Sequence, residues 1–283
     1  MLRRLFLKAT LAAAMSSWAG SVLHAQAAPL RMAVHPYNSA LALMATHRPL
    51  FQYLEKTLQR PIEFYTAPSF EAYVMAFMAG EYDIAISPPH FAMLGIEKGD
   101  YVPLVHYQTN LDPLLVVKNG STFQRPADFA GKRIAMADKS ALIRIVAVKW
   151  LADAGLVAGM HYEIIERPTH GASISATVMG EADAGLATST AVKQIPPDIQ
   201  QQLRTLPTGY MFPHLLTLAH RRLGKPLIAQ LKAALIAFTP EHPDGKVFFE
   251  KTAYGGYDVI TANELAALRP FLDQTRQIVK DMR

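Results

Sequence analysis

At 283 residues, 51% apolar and 18% charged, the chain can form one large domain or two smaller ones and is too apolar for disorder. The absence of cysteine excludes disulfides, thiolate nucleophiles and cysteine-bearing zinc sites. The formal charge of +5 is partly an end effect, because Arg3, Arg4 and Lys8 sit in residues 1–27 without an acid; the other 256 residues carry +2. No Lys/Arg stripe interleaves with aromatics, so no nucleic-acid partner is expected.

The first 27 residues have the three-part order of a secretory signal: a basic head, a mildly apolar run over 9–23, and Ala25-Gln26-Ala27. Cleavage after Ala27 is the natural reading. The run is too short and too rich in Ala, Ser and Gly to span a bilayer, and no cysteine offers a lipid anchor, so no stable membrane anchor is expected. Arg3-Arg4-Leu5-Phe6-Leu7-Lys8 resembles the bacterial twin-arginine signal, which sends the chain to the periplasm.

From residue 28 onward, short apolar strands alternate with amphipathic helices. The pattern predicts a strand over 30–34, a helix capped by Asn38 or Ser39 and running to about 58, and a strand over 62–65. Next come a helix capped by Ser69 and closed by Gly80, and a strand over 83–86 that runs into a Ser87-Pro88-Pro89-His90 loop. Strands over 102–107 and 114–117 follow. A turn over 126–132 feeds a strand over 133–137, and a helix runs from about Ser140 to 154. A strand over 162–166, a helix over 173–179 and a strand over 184–187 complete that set. Beyond a strand over 203–206, residues 210–218 lead back towards the first half. Helices over 226–238, 244–251 and from 262 to the end finish the chain. Such alternation argues for an α/β protein with mostly parallel sheets.

A repeat organises these elements. Gly80-Glu81-Tyr82-Asp83-Ile84-Ala85-Ile86 returns 100 residues later as Gly180-Glu181-Ala182-Asp183-Ala184-Gly185-Leu186, with Pro68 falling on Pro168. Upstream, Arg31-Met32-Ala33-Val34 and Ser39-Ala40-Leu41 match Arg133-Ile134-Ala135-Met136 and Ser140-Ala141-Leu142 in the same order. Two similar lobes follow: 28–110 as the first part of lobe one, 111–213 as lobe two, and 214–283 returning to lobe one. Hinge crossovers are expected near 107–116 and 208–217.

Ligands of open α/β sheets sit off the carboxyl ends of strands, between lobes in this case. Loops 35–39, 66–70 and 87–90 should face loops 138–141, 169–173 and 188–190. The residues expected to bind a ligand are Tyr37, Ser39, Ser87, His90, Tyr107, Lys139, Ser140, His170 and Thr188. Helix N-termini there offer free N–H groups to an anion. Ser39, Ser140 and Ser173 also suit helix caps without any ligand. Asp83 and Asp183 are expected to fix the turns into their strands. The histidines lack metal spacing, and the residues call for no metal or cofactor.

Three stretches, Gly80 to Pro89, Asp128 to Ala135 and His170 to Gly185, resemble the periplasmic phosphate/phosphite/phosphonate-binding family, the substrate-binding components of ABC importers. The resemblance implies the type II periplasmic-binding-protein fold, a small anionic ligand, an inner-membrane permease as partner, and ligand contact at His170. One segment departs. Where that family opens the lobe-two helix with a Ser/Thr-rich run, this chain has Asp138-Lys139-Ser140-Ala141-Leu142-Ile143, with Ser140 the one hydroxyl. Phosphonate-like oxyanions come first as ligands, with sulfonate and carboxylate open. The competing readings are the same fold docking on a sensor kinase, and an exported hydrolase with His90 or His170 as base. The second lacks a Gly-x-Ser-x-Gly elbow. The expected protein is a carrier, not an enzyme.

Overall fold

The computed structural model describes residues 28–282; the expected signal segment and its processing site lie outside the described residues. Lobe one opens with β1 (Leu30–Val34), α1 (Ala40–Leu58), β2 (Ile62–Thr66), α2 (Phe70–Met78), β3 (Ile84–Ser87), α3 (Pro89–Lys98) and β4 (Tyr101–Tyr107). β5 (Asn110–Leu111) crosses to β6 (Pro113–Lys118). A 3-10 turn (Pro126–Phe129) leads to β7 (Arg133–Met136), α4 (Leu142–Asp153), β8 (Glu163–Glu166), α5 (His170–Met179) and β9 (Ala184–Thr188). Lobe two ends with α6 (Ser189–Lys193), α7 (Pro197–Gln200) and β10 (Leu203–Pro207). β11 (Phe212–Pro213) crosses back to β12 (Leu216–His220), α8 (Gly224–Ala237), α9 (Pro243–Thr252), β13 (Tyr257–Asp258), α10 (Ala262–Ala266) and α11 (Leu272–Asp281).

The two sheets share one plan. Lobe one runs β2-β1-β3-β12-β4-β13 and lobe two runs β8-β7-β9-β6-β10. In each, three strands are parallel and the fourth, β12 or β6, lies antiparallel because it has just crossed from the other lobe. The crossovers meet where β5 and β11 pair antiparallel, Phe212 on Leu111 and Pro213 on Asn110. Thr208 seals this joint through its N–H and hydroxyl, both donating to the Pro113 carbonyl. A two-stranded ribbon of two residues each has little to resist bending. Buried apolar side chains anchor each sheet, among them Leu43, Leu50 and Leu54 of α1 and Ile145, Val146 and Leu151 of α4. Each contributes about 1.5–3 kcal/mol on burial.

The repeat has a physical cause in each lobe. The Asp83 carboxylate accepts from the Arg31 N–H at 2.9 Å, and Asp183 accepts from the Arg133 N–H at 2.8 Å. Ser69 and Thr169 cap α2 and α5 with the same backbone angles, φ −147 and ψ 164. Gly80 and Gly180 then turn at φ +74 and +78, which a side chain would strain. These carboxylates therefore bind backbone, and their place is in the turn.

Four elements depart from the sequence reading. α4 starts at Leu142 with Ala141 as N-cap, because the Ser140 hydroxyl donates to Asp138 at 2.6 Å and does not cap. α5 starts at His170 under Thr169, so Ser173 lies inside the helix, its hydroxyl donating back to the Thr169 carbonyl. Pro88 and Pro89 open helix α3 where a loop was expected, since proline suits the first helical position. The C-terminal helix is broken between Ala266 and Leu272, where Pro270 sits in a 3-10 turn.

Candidate functional site

Between the lobes lies a cavity of about 60 Å³. At roughly 10–15 Å³ per water-sized group, it admits a ligand of only a few heavy atoms. Lobe one and its return segment line it with His35, Tyr37, Phe70, Pro88, His214, Leu215 and Tyr254. Lobe two contributes Ala141, Leu142, Ile143, His170, Thr188 and Thr190. The lining contains no Asp, Glu, Lys or Arg. Two hydrogen bonds hold the lobes together across it. The His90 ring donates from Nε2 to the Ser140 carbonyl at 2.9 Å, and Gln194 donates to the Thr252 carbonyl at 2.7 Å. The cleft is therefore closed.

Lobe two aims a bare helix end at this cavity. No side chain caps α4, and its first residues, Leu142 and Ile143, lie in the cavity wall. The first N–H groups of a helix have no intrahelical acceptor, so they and the helix dipole favour an anion. In lobe one the matching helix α1 is capped, Ser39 Oγ accepting from the Ala42 N–H at 3.3 Å.

Lobe one supplies imidazole. His35 follows β1, is 3% exposed, and has both ring nitrogens sealed from solvent without a partner. Phe70 meets it edge-on at 4.1 Å and Tyr73 at 5.4 Å, which leaves the ring fixed. A buried polar group without a partner costs about 1–3 kcal/mol, a cost a ligand would relieve.

A third group runs along the return crossover. The Leu215 N–H donates to His214 Nδ1 at 2.9 Å, so the ring carries its proton on Nε2 and faces Thr190 Oγ1 at 3.4 Å. Thr190 and Thr188 share a hydroxyl bond of 2.9 Å, while the Ala191 N–H donates to Thr188 Oγ1. One hydroxyl hydrogen joins the two threonines. The other is left without a protein acceptor.

Burial keeps these imidazoles neutral. It pushes His35 well below 6.5, with His90 and His170 adding repulsion. His214 falls to about 3, chiefly through burial and then through His106 and His170, and burial brings His90 to about 4. His170 is half-buried with its Nδ1 sealed, and burial lowers it as well. Tyr254 rises to about 12, again by burial, against the bonds it makes to Tyr37 and Gln194. The positive potential of the cavity therefore comes from N–H groups and not from cations.

Of the residues singled out in the sequence, Tyr37, His170 and Thr188 line the cavity. Ser39 is exposed on the groove at the cleft mouth. Ser87 is wholly buried at the end of β3, and Tyr107 is stacked at 4.1 Å on Tyr254 and 5.0 Å on Tyr257, one layer behind the wall. His90 and Ser140 hold the closing bond. Lys139 is exposed and lines no cavity. His35, Thr190, His214 and Tyr254 were not among the nine. His35 and Thr190 lie in loops expected to face the cleft, and His35 and His214 each adjoin a proline at a strand end or crossover.

The family described as "ABC transporter, phosphonate, periplasmic substrate-binding protein" matches residues 32–265, and the chain belongs to it. Solved structures agree on the fold. PhnD1 from Prochlorococcus marinus in complex with methylphosphonate superposes with a TM-score of 0.75 at 12% identity, covering 88% of this chain and 98% of that one. XAC2383 from Xanthomonas citri bound to ATP gives 0.70 at 14% identity, covering 89% and 98%. The aliphatic sulphonate binding protein SsuA from Escherichia coli gives 0.60 at 16% identity, covering 88% and 92%. These are type II periplasmic binding proteins, and the family implies periplasmic location, a small ligand and a membrane permease. Among the described residues, no helix is long and apolar enough to cross a membrane.

Proposed function

We propose that the protein captures a small oxyanion, phosphonate-like first, in the interlobe cavity and delivers it to the permease of an ABC importer without chemical change. One observation carries this reading: the uncapped N-terminus of α4 and the unpartnered ring of His35 meet at one interlobe cavity. Contacts from Thr188, Thr190, His170 and Tyr37 complete the binding set. Phe70, Leu111 and Leu215 give the ligand's substituent an apolar seat. Inorganic phosphate or sulfate is polar on every side and would leave acceptors facing that wall, so an organic oxyanion fits better. Residues 28–110 with 214–283 form one moving body, 111–213 the other, and closure stores the binding energy in the lobe contacts. The signal segment, read by the twin-arginine receptor, places the protein in the periplasm; replacing Arg3 and Arg4 by lysine should then block export.

A thermal-shift screen of the exported protein against phosphate, phosphite, methylphosphonate, sulfate, methanesulfonate and acetate tests the ligand class. A true ligand at a hundred times its Kd stabilises the fold by about 2.7 kcal/mol. Stabilisation by neutral or cationic solutes alone would overturn the reading.

A further inference from the structure

The cavity presents an imbalance of charge. An anion entering it meets N–H dipoles, one leftover threonine hydrogen and neutral imidazoles, but no counter-charge. Burying a single ionised group without compensation costs several kcal/mol, and a double charge costs more. Among the four imidazoles near the cavity, three are committed or less suitably placed. His214 accepts the Leu215 N–H on Nδ1 and cannot gain a proton there without losing that bond. His90 commits Nε2 to the Ser140 carbonyl and does not line the cavity. His170 lines it but is partly exposed. His35 alone lines the cavity with both nitrogens buried and free.

We propose that His35 takes up a proton as the anion enters, so that the cleft receives singly charged, short-chain oxyanions as a neutral ligand–imidazolium pair. This rests on the oxyanion-receptor reading and adds the charge state of the ligand and the residue that sets it. A doubly charged oxyanion would leave one negative charge in the closed cavity and is selected against. The groups facing His35 permit the step. Phe70 and Tyr73 approach from α2, His90 from α3, His170 from α5, and Tyr37, His214 and Tyr254 complete the lining, none of them a carboxylate that would protonate His35 in the empty protein. Three charged side chains, Asp138, Glu166 and Arg167, line the neighbouring groove at the cleft mouth. Each is already engaged: Asp138 by Ser140, Glu166 by Arg144 at 2.6 Å, and Arg167 by Glu181 at 2.6 Å. In the empty cavity, desolvation and the two neighbouring imidazoles hold His35 neutral. An adjacent oxyanion reverses that balance.

The sign follows from linkage. The complex binds more protons than the empty protein, so affinity is highest at low pH. It falls as pH rises through the pKa of His35 in the complex, by up to about tenfold per pH unit. The test is calorimetric titration with methanesulfonate, which stays a monoanion throughout, and with methylphosphonate, which gains a second charge as pH rises. Two cationic buffers of different ionisation enthalpy, bis-tris and imidazole, report the protons taken up, and sulfonate buffers are avoided as competing ligands. The expected result is uptake of about one proton per methanesulfonate near neutral pH, lost in His35→Gln together with the pH slope and kept in His161→Gln, an exposed ring away from the cavity. Should His35→Gln fail to fold, nitrogen-15 imidazole NMR of the wild-type protein decides, because a charged His35 ring must appear on loading. Binding without proton uptake, or uptake that survives His35→Gln, overturns the proposal and leaves the receptor intact. Absence of stabilisation by every oxyanion of the thermal-shift screen overturns the receptor reading and this proposal together.

Discussion

The two lobes are built from one strand order and the same Asp-to-backbone turn, yet they bring opposite chemistry to the cleft. Lobe one caps its first helix with Ser39 and presents imidazole and aromatic rings: His35, Tyr37, Phe70. Lobe two spends the matching hydroxyl, Ser140, on Asp138 and leaves the helix end of α4 bare. A one-residue delay in helix start thus turns a structural N-terminus into an anion-facing one. The scaffold repeats because the turn needs a carboxylate at Asp83 and Asp183 to hold the next strand. The cavity need not repeat, because the loops off the strand ends bear no such duty.

Acidification should break the comparison most severely. Lobe one buries His35, His47 and His90, all lowered below 6.5, whereas lobe two buries no comparable set among the described residues. Their unfolded forms bind protons first, so the stability they contribute is present above about 6.5 and is lost as pH falls towards the folded values, about 4 for His47 and His90. Each ring costs up to about 1.4 kcal/mol per pH unit across that window. Hydrogen exchange at pH 4.5 should show lobe one opening ahead of lobe two, and equal protection in both would contradict the assignment.

The helix ends can be compared next. Leu142→Pro deletes one N–H at the first position of α4, where Ala141 at φ −66 and ψ 130 already accommodates a following proline. Affinity for the best anion should drop about tenfold to a hundredfold, the worth of one bond to a charged partner. Ala40→Pro at the same position of α1 should leave affinity unchanged. Calorimetric titration of both, with denaturation to check their stability, settles whether lobe two alone offers its helix end.

The repeated turns should differ by less. Asp83 also pairs with Arg222 at 2.8 Å with its side chain 13% exposed, whereas Asp183 reaches Arg133 at 3.5 Å and is 32% exposed. Urea unfolding should find Asp83→Ala costing about 2 kcal/mol and Asp183→Ala about 1 kcal/mol. The smallest effect belongs to the two residues the sequence made prominent. Lys139→Ala and Ser140→Ala should each change anion affinity by less than about threefold, because neither side chain reaches the cavity. A tenfold loss in either would return the charge of the site to lobe two.

How much of this was legible beforehand follows from what each feature depends on. The two lobes, the crossovers and the order of strands and helices were readable because they rest on local signals: the Gly-Glu-x-Asp turns, apolar strand runs, and caps such as Ser39 and Ser69. Helix α3 was missed because Pro88-Pro89 reads as a loop unless the run after it is weighed. His170, Thr188 and Tyr37, chosen for their place at loop ends, line the cavity. Ser140 does not cap α4 for a reason no spacing reveals, since whether a serine caps a helix or bonds an aspartate two residues away depends on backbone angles one residue later.

The sequence alone determined that this chain folds as two like lobes around a cleft, because hydrophobic periodicity and turn chemistry act over a few residues at a time. Only the tertiary structure decided what the cleft contains. His35, His214 and the Thr188–Thr190 pair are far apart along the chain, and the closure that buries them sets both their neutrality and their unspent hydrogen-bonding capacity. Burial is a property of the assembled lobes, and with it goes the charge balance on which the binding of an anion depends.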